Sequence, residues 1–308
     1  MSKTSTNREI AVEMWFLTLI DNLEKHEFFA TGRNYRKTLC SLRKFADTEK
    51  MNISDITEDT VSAYHAYLAR RRACRNTISF YMRILRAACN KAADNGYMAP
   101  DNIVFDSVFT GVDVTRKRAL DTATLKRIAR LDLPLGSEMD FSRDLFLFSF
   151  YTRGMNFVDM AHLSQDNISH GILSYIRSKT GQSLSMEIEP CMDSIIHKWQ
   201  KYATNGRIFP IITETKAKKV FEQYQYRLTR HNLMLKEIGR LVKTHFPLTS
   251  YAARHSWASL AQRLDIPLSV ISCGMGHTSE RTTRIYLEQL DNSKIDKANR
   301  RIIRSIFD

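Results

Sequence analysis

The sequence predicts a mainly α protein of two domains with one small β-sheet. Apolar residues recur at spacings of three and four along most of the chain, which is the period of amphipathic helices. One stretch in the second half instead alternates with the period of two that is typical of strands. At 308 residues with 43% hydrophobic content, the chain is long enough for two domains that each bury a core.

The first domain, residues 1–100, is predicted to contain four helices. Thr57 is placed to cap the third helix, because the carboxylates of Glu58 and Asp59 follow it in the first turn, where the helix end is positive. The apolar stripes of two of these helices are Tyr35, Leu39, Leu42 and Ala46, and Val61, Tyr64 and Leu68.

The fourth helix, expected after Asn76, has an apolar side and a cationic side. Its apolar stripe is Ile78, Met82, Leu85, Cys89 and Ala92, while Arg75, Arg83 and Arg86 lie on other faces. A basic face of this kind is commonly only solvated. Contact with DNA phosphates is the second interpretation, and it gains weight if the rest of the chain acts on DNA.

A linker is predicted at residues 101–118. Asn95-Gly96 and Pro100 end the helical block, and no helical period is visible until Asp121, which can cap a new helix. The linker ends in Arg116, Lys117 and Arg118. This cluster could follow a phosphate backbone, although a solvated linker is equally consistent with it.

The second domain, residues 119–308, is expected to be helical around one hairpin. Alternation over residues 171–177 and 183–189 predicts two strands, and residues 178–182 supply the turn. The predicted helices are residues 125–131, 141–151, a segment after Pro190, 220–242, 250–264, a short one after Pro267, and 293–306.

Composition favours a polyanionic partner. Lys and Arg number 46 against 33 Asp and Glu, and the formal net charge is +13, which points to nucleic acid rather than an acidic small molecule. The five cysteines show no CxxC spacing, so neither a disulfide framework nor a zinc knuckle is indicated. No apolar run approaches the roughly 18 residues of a membrane helix, and the N-terminus lacks a signal-peptide core; we therefore expect a cytoplasmic protein.

Five chemically important residues occur in the second half, in the order Arg153, Lys179, Arg254, His277 and Tyr286. They lie within the segments LFSFYTRGMNFVDMAHL, SYIRSKTGQSL, LTSYAARHSWASLA and ISCGMGHTSERTTRIYL. Here the sequence resembles the tyrosine recombinases, or phage-type integrases, and the likeness covers essentially the whole chain. The resemblance implies a helical, SAM-like core-binding domain followed by a catalytic domain.

These residue types suit exchange at a phosphodiester. Two guanidiniums, from Arg153 and Arg254, can fork onto the charge that develops on the non-bridging oxygens. Lys179, on a hairpin turn, could protonate the leaving 5′ oxygen. Tyr286 could attack the phosphorus once neighbouring cations activate its phenol. His277 would hold the phosphate or assist the proton transfer.

The sequence departs from the family pattern at two positions. The family's histidine, three residues before the second arginine, is replaced by Tyr251, which can donate an O–H but cannot titrate near neutrality; a supporting role is expected. Alignment on Asp159 puts Asn156 where the first arginine is expected. Arg153, three residues earlier, shares a face with Asn156 if the helix continues, but lies just outside the helix if it begins at Gly154.

The resemblance implies a recombinase that recognises core sites in double-stranded DNA, assembles as a homotetramer on paired sites, and uses no cofactor or metal. No P-loop or strong metal-ligand cluster is visible. Because the chain begins almost directly with the helical domain, DNA inversion or simple integration and excision is favoured. The apolar stripe Ile295, Ala298, Ile302, Ile303 and Ile306 suits docking on a neighbouring subunit or packing within the chain.

Two alternatives remain from other classes. A DNA-binding accessory factor with an impaired active site is consistent with Asn156 and Tyr251. A type IB topoisomerase-like enzyme would use the same phosphotyrosine chemistry to relax DNA without a specific site.

Overall fold

The computed structural model describes residues 8–100, 104–113 and 118–277, together with residues 283 and 299. Contacts divide the chain into two compact units, residues 1–115 and 116–308. The predicted mainly α fold with one small antiparallel sheet is confirmed. Within the described ranges, no helix is long and apolar enough to cross a membrane.

The first unit is a bundle of amphipathic helices. The predicted apolar stripe of its last helix is buried, and Thr57 caps the third helix by accepting a hydrogen bond from the Thr60 N–H at 3.5 Å. The Trp15 indole N–H donates to the Ala88 carbonyl at 2.9 Å, so the first and last helices are joined across the core. The described helices of this unit are α1 (Val12–Lys25), α2 (Phe29–Leu42), α3 (Glu58–Arg70) and α4 (Arg75–Asp94).

Two details of the first unit differ from the sequence-based expectation. Helix α2 ends at Leu42, so Ala46 lies beyond it in the following turn. Val104, Phe105 and Val108 are buried in the core of this unit, so part of the segment predicted as a linker packs against the helices. The functional limits of the domains stay a prediction.

The second unit is built around a central helix that is buried on most of its surface. This helix, α6, contributes Phe146 and Phe148 to the core, both fully buried, and it contacts α8, α9 and α10. The described elements of this unit are α5 (Thr122–Ala129), α6 (Glu138–Tyr151), α7 (Phe157–His162), β1 (Ile168–Ser169), β2 (Ile172–Ile176), β3 (Ser183–Glu187), α8 (Pro190–Gln200), α9 (Ala217–Leu241), α10 (Ser250–Arg263) and α11 (Leu268–Gly274).

Buried carboxylates fix α8 against α6. Asp140 and Asp144 of α6 both accept hydrogen bonds from the Lys198 ammonium at 2.7 Å, and Asp144 also accepts from the Trp199 indole at 2.8 Å. Buried charges are tolerated when they are paired and hydrogen-bonded in this way. The network therefore holds α6 and α8 together.

The predicted hairpin is present as strands β2 and β3. They pair antiparallel with Ser174 opposite Ser185, and the order of the sheet is β1-β2-β3. The Arg177 N–H donates to the Gln182 carbonyl at 2.8 Å, which closes the turn between them. Strand β1, of two residues, is too short to show an alternating pattern in the sequence.

Candidate active site

A cleft of about 540 Å³ opens in the second unit. Its walls come from the loop between α6 and α7, the turn of the hairpin, the helix α9 and the beginning of α10. The lining side chains that carry polar or ionic chemistry include Asn156, Arg177, Lys179, Tyr251 and Arg254. Lys179, Tyr251 and Arg254, predicted from the sequence, are thus brought to one place.

Arg254 lies at the base of this cleft with 3% of its surface exposed. Its Nη1 donates to the Gly154 carbonyl at 2.8 Å and its Nη2 to the Met275 carbonyl at 2.6 Å. A Cβ on Gly154 would lie 2.6 Å from Arg254 Cγ. The loop at residue 154 can therefore approach α10 this closely only because residue 154 is glycine. The guanidinium is therefore held from two sides.

His277 is in direct contact with Arg254. The Arg254 Nη2 lies 2.8 Å from the imidazole Nε2, and the imidazole Nδ1 lies 2.8 Å from the Thr283 hydroxyl. Because arginine can only donate, Nε2 is the acceptor and the proton resides on Nδ1. Burial, followed by the charges of Arg254, Arg177 and Lys179, lowers the pKa of the imidazole from 6.5 to about 4. His277 is therefore neutral at pH 7.

Lys179 stands on the turn of the hairpin, where it is exposed at the mouth of the cleft. The turn is anchored from below by Asp159, which is 4% exposed and accepts a hydrogen bond from the Ser178 N–H at 2.9 Å. The amide of Asn156 lies 3.4 Å from the other oxygen of Asp159. Asp159 thus positions the backbone next to Lys179.

Arg153 is not among the residues that line the cleft. The expectation that a helix continues from Arg153 to Asn156 is wrong. Helix α6 ends at Tyr151, and both Arg153 (φ 60°) and Gly154 (φ 81°) take the left-handed conformation. The reversal of the chain directs Arg153 towards β3, where its Nη1 lies 3.4 Å from the Ser185 carbonyl.

Sequence reasoning missed Arg177, which lines the cleft and is 5% exposed. Its Nη1 donates to the Gly276 carbonyl at 2.6 Å. The alternation of β2 contains the signal that could have identified it: Leu173 and Tyr175 are buried, and Arg177 continues the same face at the next alternate position. A charged residue on the buried face of a strand indicates a specific role for its side chain.

Tyr251 is half exposed at the cleft, near the beginning of α10. Its ring packs edge-on against His255, with ring centroids 4.9 Å apart. The phenol is therefore accessible to a ligand in the cleft, and its supporting role stays a prediction.

Several predicted residues lie outside the described part of the chain. These are Tyr286, Arg116 and Lys117, and the apolar stripe of the C-terminal segment. Within the described ranges, no group of three or more His, Cys, Asp and Glu residues is arranged to hold a metal ion.

A second candidate surface lies in the first unit, as a groove of about 670 Å³ between α2, the end of α3 and the beginning of α4. No carboxylate is among its lining residues, and its aromatic side chains are Tyr67 and Tyr81. Arg71 donates to the Tyr67 hydroxyl at 2.8 Å. The cationic residues of this basic groove are Arg33, Arg36, Lys37, Lys44 and Arg71.

The DNA contacts predicted from the sequence lie instead on α4 and the linker. Arg75 packs over the Phe109 ring, 4.3 Å from its centroid, and lies 4.0 Å from the Asp113 carboxylate. Arg83 is exposed, with its Nε 3.4 Å from the Ser79 carbonyl; Arg86 is half-buried and Arg118 exposed. These four residues remain candidates for DNA contact. The basic groove has its own signal in the sequence, because Arg33 is followed by cations three and four residues later, at Arg36 and Lys37.

Comparison with known proteins agrees with these observations. Residues 13–107 match the model of the phage integrase SAM-like domain. A tyrosine recombinase of Thermosipho africanus is 22% identical over 275 residues, which cover 86% of this chain and 91% of that protein.

Two solved structures of lambda integrase share the fold. A dimer bound to a COC' core site matches with a TM-score of 0.63 at 15% identity, over 93% of this chain and 81% of that one. A tetramer bound to a Holliday junction matches with a TM-score of 0.62 at 14% identity, over 92% and 79%. The chain is therefore similar in sequence to curated tyrosine recombinases and has the fold of lambda integrase, and residues 13–107 of its first unit match a phage integrase SAM-like domain.

Proposed function

We propose that the protein is a site-specific DNA recombinase that cleaves and rejoins DNA strands through a 3′-phosphotyrosyl intermediate on Tyr286. The observation that carries the proposal is that Arg254 and Lys179 line one cleft and that neutral His277 is in direct contact with Arg254. In the sequence these residues precede Tyr286 in the order that is typical of the tyrosine recombinases.

The chemistry of the cleft suits a transesterification. The Tyr286 oxygen attacks the scissile phosphorus, the bond from phosphorus to the 5′ oxygen breaks, and the leaving oxygen takes a proton from Lys179. The phenolic proton passes to water, because the Nε2 lone pair of neutral His277 already accepts a hydrogen bond from Arg254. Arg254 stabilises the negative charge that develops on the phosphoryl oxygens. Since the phosphotyrosyl ester retains the energy of the broken bond, religation requires no high-energy cofactor.

The basic groove supports DNA binding by the first unit. Its cations come from α2 and from the turns that follow α2 and α3. The described part of the chain shows no ion pair for Lys37 or Lys44. Contacts of this kind go to phosphates and hold a protein on a duplex without reading its sequence. We expect Arg75, Arg83, Arg86 and the cluster Arg116, Lys117 and Arg118 to add further contacts.

The proposal extends to assembly as a homotetramer on two core sites, for inversion or for integration and excision of DNA in the cytoplasm. The lambda integrase tetramer on a Holliday junction has the same fold, which supports this assembly. Mass photometry of the protein on paired sites should give four protomers per junction; a persistent dimer would exclude the assembly.

A second candidate function is a DNA-binding factor with an impaired active site. Asn156 in the position of the first arginine favours it, since Arg153 is not among the residues that line the cleft. One experiment separates the two candidates. The protein is mixed with fragmented host DNA, the reaction is stopped with detergent, and the ends of covalently bound DNA are sequenced beside a Tyr286→Phe control. Adducts at a few paired sites, lost in the control, establish the recombinase; no adduct in either sample establishes the second candidate.

A further inference from the structure

The cleft contains a second guanidinium whose donors are not all used. Arg177 is 5% exposed, and only its Nη1 has a hydrogen-bond partner among the described residues, the Gly276 carbonyl. Its Nε–H is buried with no partner in the described part of the chain. No carboxylate in that part pairs with it. An unsatisfied donor on a buried cation is costly to a protein, so its retention points to a ligand that satisfies it.

The position of Arg177 relative to Arg254 indicates what that ligand is. Arg177 donates to the carbonyl of Gly276 and Arg254 to the carbonyl of Met275, so the two guanidiniums are anchored on consecutive residues of the loop that leads to His277. Both line the same cleft, together with Lys179. The described lining of the cleft thus holds two guanidiniums and one ammonium, and it includes no carboxylate. Such a set of donors suits a tetrahedral oxyanion, which accepts several hydrogen bonds at once.

The backbone of Arg177 makes this placement rigid. Its N–H donates to the Gln182 carbonyl, and its own carbonyl accepts from the Gly181 N–H at 2.8 Å. The adjoining Ser178 N–H is held by Asp159. The side chain therefore projects from a closed turn whose two sides are both hydrogen-bonded, as a preorganised phosphate-binding group requires.

We propose that Arg177 is a phosphate-binding arginine of the cleft, and that it supplies, opposite Arg254, the second guanidinium that sequence reasoning assigned to Arg153. The proposal rests on the proposed function, because it names a further contact to the phosphate that the recombinase would cleave. Arg177 holds the phosphodiester in the ground state and stabilises the charge on its non-bridging oxygens as the phosphorus is attacked.

The first test measures single-turnover cleavage of a duplex that carries the core site found by adduct mapping. Arg177→Gln and Arg177→Lys are compared with Arg153→Gln, a matched control because Arg153 is not among the residues that line the cleft. Loss of one transition-state donor typically costs about 10²–10³-fold in rate; we expect this loss for Arg177→Gln, a smaller one for Arg177→Lys, and less than about 3-fold for Arg153→Gln. Cleavage by Arg177→Gln within about 3-fold of wild type would overturn the proposal.

A modified substrate separates phosphate contact from a structural role. In a methylphosphonate duplex, a neutral methyl group replaces one charged non-bridging oxygen at the scissile position. If Arg177 binds that oxygen, the deficit of Arg177→Gln should fall to less than about 10-fold on one of the two stereoisomers. An equal deficit on the phosphodiester and on both methylphosphonates would show that Arg177 only supports the loop at Gly276, and would overturn the proposal. Thermal unfolding of each variant identifies loss of folding.

A binding measurement tests the proposal without cleavage. The buried Arg177 Nε–H should give a slowly exchanging signal in a ¹⁵N-correlated NMR spectrum, assigned by its disappearance in Arg177→Lys. Titration with inorganic phosphate should move this signal downfield in the wild type and also in Tyr286→Phe. A signal that phosphate leaves unmoved would overturn the proposal, even if the protein forms adducts; a shift without adducts would support the phosphate site while the recombinase function fails.

Discussion

Replacement of Gly154 by alanine should disrupt the base of the cleft. A Cβ at this position would lie 2.6 Å from Arg254 Cγ and 2.7 Å from Arg254 Cα, and the residue has φ +81°. The left-handed conformation costs an L-residue about 1–2 kcal/mol. Overlap with the backbone of α10, which cannot rotate away as a side chain could, adds about 1–3 kcal/mol. We expect Gly154→Ala to lower the free energy of unfolding by about 2–5 kcal/mol in total.

Gly136→Ala is the matched control, because Gly136 has φ +75° and a Cβ there would meet nothing within 4 Å. This substitution should lower the free energy of unfolding only by the cost of the left-handed conformation, about 1–2 kcal/mol. Urea unfolding followed by circular dichroism measures both free energies. Gly154→Ala should also lower the rate of DNA cleavage, because Arg254 must move, whereas Gly136→Ala should not. Equal destabilisation by the two substitutions, with cleavage intact in both, would refute the close contact between Gly154 and Arg254.

Three further perturbations test separate contacts. Asp159→Ala removes the acceptor of the Ser178 N–H; we expect a loss of about 1–3 kcal/mol in urea unfolding and slower cleavage, and unchanged values would refute the anchoring of the turn. His231 is buried with both ring nitrogens lacking a described partner, and burial lowers its pKa from 6.5 to about 3. As the pH falls, the His231 imidazole is protonated first in the unfolded chain, so the free energy of unfolding decreases as the pH falls from 6.5 towards 3. His231→Leu should weaken that decrease, and an identical pH profile of unfolding would contradict this reasoning. Replacement of Lys37 and Lys44 by glutamine should reduce the slope of log K for DNA binding against log salt concentration by about 1 per lost phosphate contact. An unchanged slope would exclude phosphate contacts by these two lysines.

The sequence predicted features that depend on local patterns. The stripe of α4 and the caps at Thr57 and Asp121 follow from helical period and from side chains that satisfy the first-turn N–H groups. The Thr124 N–H does donate to Asp121, at 2.6 Å. The hairpin followed from alternation and a turn rich in small polar residues. Each of these signals lies within one element, which is why it could be read without tertiary information.

The arginines of the cleft could not be assigned in this way. Nothing in the run Phe148–Tyr151 marks the end of α6, and Arg153 takes a positive φ that is unusual for a residue with a side chain. Its direction depends on the approach of Gly154 to Arg254, which are 100 residues apart. Arg177 meets its partner 99 residues away. Contacts of this range depend on packing of the whole unit.

The most direct test of the central claim is to identify the residue that becomes linked to DNA. The protein is incubated with its core-site duplex, the adduct is digested with trypsin and nuclease, and the nucleotide-bearing peptide is sequenced by mass spectrometry. We predict a single modified peptide, residues 285–294, with the 3′-phosphate on Tyr286 and none in the Tyr286→Phe variant. A modification on Tyr251 or on any other residue would contradict it, as would an adduct that survives the substitution.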